Sequence, residues 1–347
     1  MLSDGARIDI PVARIHCGRC GFATLPARSV RRLPRRLFGA SYSLNAGLPN
    51  PMDIERQAGY AARVAALAGF VPESVLDVGC GNGALLLALR RLWPSVRPAG
   101  VEPAPAAAAS GRRAGLRIDL TPNASSRARL VVSVNVIEHT PDPLAFLRQL
   151  RRACLPGGRV IAICPDGSVP WLELMMADHR HSLTPRAFDI LAARAGLAVV
   201  ARDPKGDSGF QAVLLRPARP VRPRTVAGSA EGLADRRRRY LADWRRLDSA
   251  LLTQHDPGRR LICFGGGEAA RLLRAYAPSI WHAVAAVTAD DLAGAADLGK
   301  PVLPLEQVDF AADRLLLAVR PGAQENLATR FMQAGGQVLR WDGTIAR

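Results

Sequence analysis

Short apolar runs alternate with longer amphipathic segments through the middle of the chain. Helices are predicted to begin near Ala84, Ala104, Pro143 and Thr184. The apolar runs between them predict five strands, at Val75–Val78, Pro98–Val101, Leu130–Val134, Val160–Ile163 and Leu197–Ala201. Strands that alternate with helices are typical of βαβ units and a parallel sheet. Residues 53–216 are therefore predicted to form one α/β domain.

The remaining sequence divides into three parts. Residues 1–52 are short polar stretches interrupted by Arg and Pro, and residues 217–228 place prolines among arginines, which predicts an extended linker. Residues 229–347 begin with a charged helix up to about residue 254 and then return to strand–helix alternation. The strands predicted there lie at Arg260–Phe264 and near Ala283–Val287, Leu315–Val319 and Gln337–Trp341, with a helix from Glu268. A second, smaller α/β domain is expected.

A glycine-rich turn carries the strongest chemical signal. The strand Val75–Val78 runs into Gly79-Cys80-Gly81-Asn82-Gly83, and a helix follows at once. Glycines at such a turn let the backbone approach a ligand closely. Asp77 at the strand end disfavours a pyrophosphate and suits a ligand with an ammonium or sulfonium group. Glu102 ends the next strand at the spacing where an acid meets ribose hydroxyls, which favours a bound nucleoside over a ligand-free tight loop.

These residues resemble the class I S-adenosylmethionine-dependent methyltransferases. Asp77-x-Gly79-x-Gly81-x-Gly83 follows the first motif of that family, and Leu155-Pro156-Gly157-Gly158 matches the turn before its fifth strand. Arg129-Leu130 departs from it, because many members carry an Asp there. The resemblance implies a Rossmann-like fold, S-adenosylmethionine as cofactor and transfer of its methyl group. It implies cofactor contacts from Asp77, Gly79, Cys80, Gly81, Asn82, Gly83, Glu102 and Pro103, from Asp119 near the adenine, and from Asn135 and Val136 beside the methionine moiety.

The order of the segments is similar to the three-part sugar C-methyltransferases. Those enzymes carry an N-terminal zinc-binding segment, a methyltransferase core and a C-terminal Rossmann-like domain. Here Cys17-Gly18-Arg19-Cys20, the core, and the turn Gly265-Gly266-Gly267 occur in that order. Two departures are that no cysteine pair precedes Cys17, and that the His-Glu-His motif of the family reads His179-Arg180-His181. The resemblance implies a nucleotide-linked sugar or glycan precursor as the methyl acceptor.

Histidines are the candidate general bases, since a pKa near 6.5 suits proton removal from an acceptor at neutral pH. His181 is the first candidate because it matches the second histidine of the sugar-enzyme motif, and His179 and His139 follow. The alternative is that His179 and His181 only cap the helix that begins near Thr184. For His139, beside Glu138, a structural hydrogen bond is the favoured role.

Cys17 and Cys20 have the spacing of a zinc knuckle, but tetrahedral zinc needs four ligands. No second pair occurs before residue 70, so we predict an incomplete, metal-free knuckle. A site shared between two chains and a redox pair are the alternatives.

Composition excludes several classes. Of the 347 residues, 48% are hydrophobic and 22% charged, as in globular proteins, and no apolar run approaches the roughly 18 residues of a membrane span. The N-terminus lacks the pattern of a signal peptide, and a cytoplasmic location is predicted. The formal charge of +17 is spread over several segments instead of one face, so no nucleic-acid partner is expected.

The sequence thus predicts a methyltransferase (EC 2.1.1.-) that methylates carbon or oxygen of a small polar acceptor. A quinone-like or lipid-linked acceptor is the alternative within that class. A protein that binds the cofactor or a nucleotide-sugar without catalysis is a second alternative. The sequence does not indicate an oligomeric state.

Overall fold

The computed structural model describes residues 1–3, 5–34, 37, 47–49, 51–203, 209–221, 230–290, 292 and 298–345. The chain folds into two compact units. One unit holds residues 10–169 and 177–231, and the other holds residues 1–9, 170–176 and 232–347. Most of the predicted linker 217–228 lies outside the described residues. The segment 170–176 interrupts the predicted domain 53–216 and belongs to the second unit.

The first unit is built on a seven-stranded sheet. Seven strands form this sheet: β3 (Val75–Val78), β4 (Pro98–Val101), β5 (Arg117–Asp119), β6 (Ala128–Val134), β7 (Cys154–Pro165), β9 (Leu197–Arg202) and β10 (Phe210–Pro217). Three short strands of the same unit lie outside it: β1 (Ile15–His16), β2 (Ala23–Thr24) and β8 (His181–Ser182). Its helices are α1 (Ala27–Val30), α2 (Pro51–Ala68), α3 (Ala84–Leu92), α4 (Pro105–Arg113), α5 (Pro143–Ala153), α6 (Pro185–Ala195) and a 3₁₀ turn at Ile137–His139.

The large sheet has the order β5-β4-β3-β6-β7-β10-β9. Strands β3 to β7 pair in parallel, whereas β10 runs antiparallel to both β7 and β9. From β3 the chain adds β4 and β5 on one side of the sheet, and it then adds β6 and β7 on the other side. Because the direction of strand addition reverses between β3 and β6, a crevice opens at the carboxyl ends of these two strands. Apolar side chains from helices on both faces cover the sheet in two buried clusters. This is the Rossmann-like α/β fold expected from the sequence.

The central strands and helices confirm the sequence prediction closely. β3 and β4 have the predicted bounds, and α3 and α5 begin at the predicted residues. Helices α4 and α6 each begin one residue late, at Pro105 and Pro185, because proline occupies the first helical position in both. β7 extends from Cys154 to Pro165, well beyond the predicted Val160–Ile163.

Three short strands form a separate antiparallel sheet. β1 pairs with β2, and β2 pairs with β8, which joins the N-terminal Cys17–Cys20 hairpin to the segment around His181. The hairpin is closed by hydrogen bonds from Cys17 N to Phe22 O (2.8 Å) and from Gly21 N to Cys17 O (2.9 Å). N-terminal residues therefore contact the predicted His179–His181 motif directly.

The second unit carries a four-stranded parallel sheet of order β12-β11-β13-β14. Its apolar core includes Trp244, Trp281 and Trp341. Its elements are α7 (Leu233–Gln254), β11 (Leu261–Phe264), α8 (Glu268–Tyr276), α9 (Pro278–Ala283), β12 (Val284–Thr288), β13 (Arg314–Leu317), α10 (Pro321–Gln333) and β14 (Gln337–Leu339), with 3₁₀ turns at Leu172–Met175, Leu305–Gln307 and Asp342–Thr344. No helix in the described ranges of either unit combines the length and apolar character that a bilayer span requires.

Candidate active site

The glycine turn lies where β3 ends and α3 begins. Gly79, Gly81 and Gly83 all have positive φ angles, of 84°, 54° and 81°, which glycine adopts without strain. Gly79 N donates to Val101 O at the end of β4 (2.7 Å), so the turn is held against the neighbouring strand. A Cβ placed on Gly79 would lie 2.4 Å from Val136 Cγ2. The turn is therefore a close approach that only glycine permits.

Two buried carboxyl groups flank this turn. Glu102 is 7% exposed, and its Oε2 and Oε1 accept from the backbone amides of Gly81 (2.9 Å) and Ala104 (2.8 Å). Asp77 is 2% exposed, and its Oδ1 has no hydrogen-bond partner among the described residues. A buried polar atom without a partner costs free energy unless a ligand satisfies it.

Burial, and then the neighbouring Glu102 carboxylate, raise the pKa of Asp77 from 3.8 to about 8. Burial also raises the pKa of Glu102, although the two backbone amides act in the opposite direction. A cation that approached these groups would favour their ionised forms. The site is therefore electrostatically suited to a positively charged ligand.

A cavity of about 380 Å³ opens at the carboxyl ends of β3, β4 and β6. Seven residues predicted from the sequence line it, namely Gly79, Gly81, Glu102, Pro103, Asn135, Val136 and His139. The other lining residues were not predicted as site residues: Val78, Val101, Ala104, Ala107, Leu120, Thr121, Pro122, Thr140, Pro141, Phe146 and Gln149. Most of these are apolar. They come from the ends of β3 and β4, from α4 and α5, and from the loops at 120–122 and 140–141, and their approach to one cavity depends on tertiary structure.

Three further predicted cofactor residues, Cys80, Asn82 and Asp119, contact the turn and the strands beside it but do not line the cavity. The Cys80 thiol lies so close to Gly100 that a Cβ there would be 2.4 Å from its sulfur, and burial raises its pKa well above 9.0. Asn82 donates to Gly47 O (3.0 Å) and accepts from Ala84 N (3.3 Å). Asp119 O accepts from Glu102 N (2.9 Å), which fixes the backbone of that acid.

Asn135 lines the cavity in a left-handed backbone conformation. Its φ of 55° makes it the one non-glycine residue with positive φ in the described ranges. Asn135 Nδ2 donates to Tyr60 Oη (3.3 Å), whereas its buried Oδ1 has no partner among the described residues. The amide oxygen is thus a second orphan acceptor beside the cavity.

His139 is the histidine that lines the cavity. Its Nδ1 lies 3.0 Å from the backbone oxygen of Asp178 and 3.9 Å from the Asp178 carboxylate, which is fully buried. A carbonyl oxygen can only accept, so Nδ1 carries the proton of the neutral ring and Nε2 is the basic nitrogen. Burial lowers the pKa of His139, while Asp178 raises it. The ring is neutral at pH 7 and able to take up a proton.

His181 and His179 do not line the cavity. His181 uses both ring nitrogens, with Nδ1 3.0 Å from Thr24 Oγ1 and Nε2 2.9 Å from Thr140 O, and its ring stacks on Phe22. Burial lowers its pKa to about 4. His179 packs edge-on against His139 with ring centroids 4.5 Å apart, and burial lowers its pKa well below 6.5. The geometry therefore favours His139 over His181, the first candidate from the sequence, as a base.

Residues 52–202 match a family model described as a methyltransferase domain. This segment contains the glycine turn, both carboxyl groups, the cavity and His139. Residues 52–202 are therefore a class I S-adenosylmethionine-dependent methyltransferase domain.

Curated relatives cover this methyltransferase domain but not the rest of the chain. A ubiquinone biosynthesis O-methyltransferase of Cereibacter sphaeroides (strain ATCC 17029 / ATH 2.4.9) is 30% identical over 151 residues, which cover 37% of this chain and 61% of that protein. An enzyme of the same name from Methylobacterium sp. (strain 4-46) is 36% identical over 100 residues, covering 26% of this chain and 39% of that protein. The match therefore spans less than two thirds of these relatives.

Solved methyltransferases are only partly similar in structure. A mitomycin 7-O-methyltransferase aligns with a TM-score of 0.40 and 22% identity, covering 49% of this chain and 58% of that one. The CcbJ methyltransferase from Streptomyces caelestis aligns with a TM-score of 0.40 and 18% identity, covering 52% and 94%. At these scores the fold assignment rests on the family model and on the strand order.

The residues of the methyltransferase domain fit S-adenosylmethionine, its cofactor. Glu102 lies on the cavity wall, where a carboxylate with backbone amides on both oxygens can still accept from ribose hydroxyls. Asp77 Oδ1 and Asn135 Oδ1, which have no described partner, are the acceptors that would be available to the positively charged methionine end. Gly79 has no Cβ, and none would fit beside Val136, so the backbone of the turn is exposed to a bound ligand at this point.

In the described part of the chain, one group of three metal-ligating side chains and the predicted cysteine pair bear on metal binding. Glu138, His139 and His179 place ligand atoms within 4.8 Å of one another, a spacing that could hold a divalent metal ion. Cys17 is exposed and Cys20 half-buried, and both are free thiols. Within the described ranges Cys17 and Cys20 belong to no group of three metal-ligating side chains, and the metal-free knuckle remains a prediction from the sequence.

Proposed function

We propose that this protein transfers a methyl group from S-adenosylmethionine to a hydroxyl oxygen of a small, quinone-like ring. The observation that carries the proposal is one cavity lined by a buried ribose-type acid, Glu102, and by a neutral histidine, His139, backed by a carboxylate. Curated relatives named for ubiquinone biosynthesis support a ring hydroxyl as acceptor.

The donor half of the cavity is defined by charge. Asp77 and Glu102 are the buried acids next to the glycine turn, and each is costly to ionise without a cation nearby. When bound, S-adenosylmethionine supplies an electrophilic methyl carbon on a sulfonium. Glu102 would hold the ribose, and the glycine turn would let the backbone lie close to the donor.

The acceptor half is apolar with one base. Phe146, Val136 and Pro141 line it, as suits a flat ring, and His139 is the histidine on its wall. His139 Nε2 would take the hydroxyl proton as the oxygen–methyl bond forms, and Asp178 would stabilise the resulting imidazolium. His139 thereby makes the acceptor oxygen a better nucleophile without needing an external base.

The acceptor predicted from the sugar C-methyltransferases, a nucleotide-linked sugar, has no support among the relatives. Carbon methylation, nucleotide-sugar binding without catalysis and the cytoplasmic location also remain predictions from the sequence. A quinone-like acceptor is preferred because the cavity wall is mainly apolar, whereas a sugar diphosphate needs polar groups and cations around it.

A methyl-transfer assay tests this function. Purified protein is incubated with S-adenosylmethionine carrying a deuterated methyl group and with either a catechol or a nucleoside diphosphate sugar, and products are detected by mass spectrometry. We expect labelled product from the catechol only, and a loss of about 100-fold in kcat for His139→Gln. His181→Gln is the matched control and keeps kcat. Labelled sugar with unlabelled catechol, or full activity of His139→Gln, would contradict the proposal.

For the second unit we propose a small Rossmann-like domain, in the predicted position after residue 229. Its four parallel strands and the Gly265-Gly266-Gly267 turn between β11 and α8 support this proposal. Gly265 has φ of 116°, and a Cβ there would lie 2.5 Å from Ala318 O, so the turn packs against the end of β13. The boundaries 1–52, 53–216, 217–228 and 229–347 remain part of this proposal.

A further inference from the structure

A second cavity, of about 560 Å³, lies at the opposite edge of the large sheet from the active site. It is formed where β6 and β7 begin, where α5 ends and where β10 ends. The active-site cavity instead lies at the carboxyl ends of β3, β4 and β6. The two cavities have no lining residue in common. The second cavity therefore has no part in the proposed methyl transfer.

Arginine dominates the lining of this second cavity. Five guanidinium groups face it from three different elements and their flanks, and no acidic residue lines it within the described part of the chain. The arginines are Arg127, Arg151, Arg152, Arg159 and Arg216. Like charges held around one concave space repel one another unless an anion lies between them.

Most of these arginines are not used by the protein itself. Arg159 donates to Gly157 O and Gly158 O, at 3.2 and 3.0 Å. The exposed side chains of Arg127, Arg152 and Arg216 make no hydrogen bond or ion pair with any described residue, and the buried Nε of Arg151 likewise has no described partner. Arg129 nearby, by contrast, donates to Pro156 O.

The dipole of α5 accounts for the position of only two of the five arginines. Arg151 and Arg152 lie in the last turn of that helix, where positive charge interacts favourably with the helix dipole. Arg127 and Arg216 come from β-strand ends and gain nothing from the dipole. Cys154 lines the same cavity. Burial raises the pKa of its thiol to about 11, whereas the positive charges of Arg159, Arg129 and Arg127 act in the opposite direction. The charge of the arginines is therefore felt inside the cavity.

We propose that this arginine-lined cavity binds the phosphate or diphosphate group of a small molecule, at a site separate from the methyltransferase active site. Guanidinium groups form paired hydrogen bonds with phosphate oxygens, and a cluster of five matches the multiple negative charge of a phosphate or diphosphate better than the single charge of a carboxylate. The volume is in the range of small-molecule sites and exceeds what a lone chloride requires.

Titration calorimetry with inorganic pyrophosphate, at about 0.15 M salt to screen weak surface contacts, tests the proposal. We expect one site per chain, and binding weaker by about tenfold or more in the double variant Arg127→Gln/Arg216→Gln. The matched control, Arg239→Gln/Arg245→Gln, removes the same charge from exposed positions of α7 and should bind as the parent does.

Three outcomes would overturn the proposal. They are no binding of pyrophosphate by the parent, equal loss in the two double variants, and binding to phosphatidic acid vesicles without binding to pyrophosphate. Binding of S-adenosylhomocysteine is measured on the same samples and should be unchanged in Arg127→Gln/Arg216→Gln. That readout shows that the variant is folded and separates a failure of this proposal from a failure of the methyltransferase proposal.

Discussion

The residues of the candidate site differ in how far the sequence alone could single them out. Asp77, Glu102 and the glycines were identifiable because a strand, a turn and a helix place them at fixed spacing. The choice among His139, His179 and His181 was not, since it depends on which ring reaches the cavity and which nitrogens are already bonded. His181 is bonded at both nitrogens, and only the tertiary structure reveals this.

Asp77 should make donor binding depend on pH. Because burial raises its pKa to about 8, the free protein holds this carboxyl group protonated below that pH, and a cationic ligand favours its ionisation. We expect the affinity for S-adenosylmethionine to rise between pH 6 and pH 8, with release of close to one proton at pH 6.5. Asp77→Asn should release none. Calorimetry in two buffers of different ionisation enthalpy measures the proton directly, and equal release by both proteins would refute this role.

His181 should make the free energy of unfolding depend on pH below pH 7. Burial lowers its pKa to about 4, so below pH 6.5 the unfolded chain takes up a proton that the folded protein does not. Stability therefore falls as the pH drops from 7 toward 4, by about 2 kcal/mol between pH 7 and pH 5 from this residue. Urea unfolding at both pH values should show a correspondingly smaller loss for His181→Gln, and an unchanged loss would contradict the buried, neutral state.

Secondary-structure elements were predicted best where the apolar pattern was locally complete. Strands β3 and β4 and helices α3 and α5 follow directly from such patterns. β10 was missed although residues 212–215 form a buried apolar run, since its antiparallel pairing with β7 joins strands that are far apart in the sequence. The two-residue strands β1, β2 and β8 carry too few residues for any period and form only through tertiary pairing.

The turn between β3 and α3 should tolerate no side chain at Gly79. Gly79→Ala would combine a positive φ with a Cβ 2.4 Å from Val136, whereas Gly69→Ala has a similar φ of 72° and no atom within 4 Å. We expect Gly69→Ala to lose about 1 kcal/mol of stability and Gly79→Ala roughly 2–4 kcal/mol. Thermal unfolding compares the two variants. Equal losses would mean that the approach of Val136 does not constrain the turn, and Gly79→Ala/Val136→Ala should recover part of the difference.

At the scale of the whole molecule, the sequence predicted two α/β parts, and the structure contains two compact units. It did not reveal that residues 170–176 leave the first unit, because seven residues carry no periodicity that assigns them to either side. The sequence motifs also did not predict which methyl acceptor the protein uses. They describe the donor, whereas the cavity is also lined by residues that no motif contains, such as Phe146 and the loops at 120–122 and 140–141.

The central claim is that the carboxyl–glycine site of the first unit binds the methyl donor. The most direct measurement is calorimetric titration of the full chain with S-adenosylhomocysteine, for the parent, for Glu102→Gln and for Glu73→Gln, an exposed glutamate with the same charge change. We expect one site per chain, binding weaker by about tenfold or more in Glu102→Gln, and parental affinity in Glu73→Gln. Absence of binding by the parent, or parental affinity in Glu102→Gln, would contradict the account.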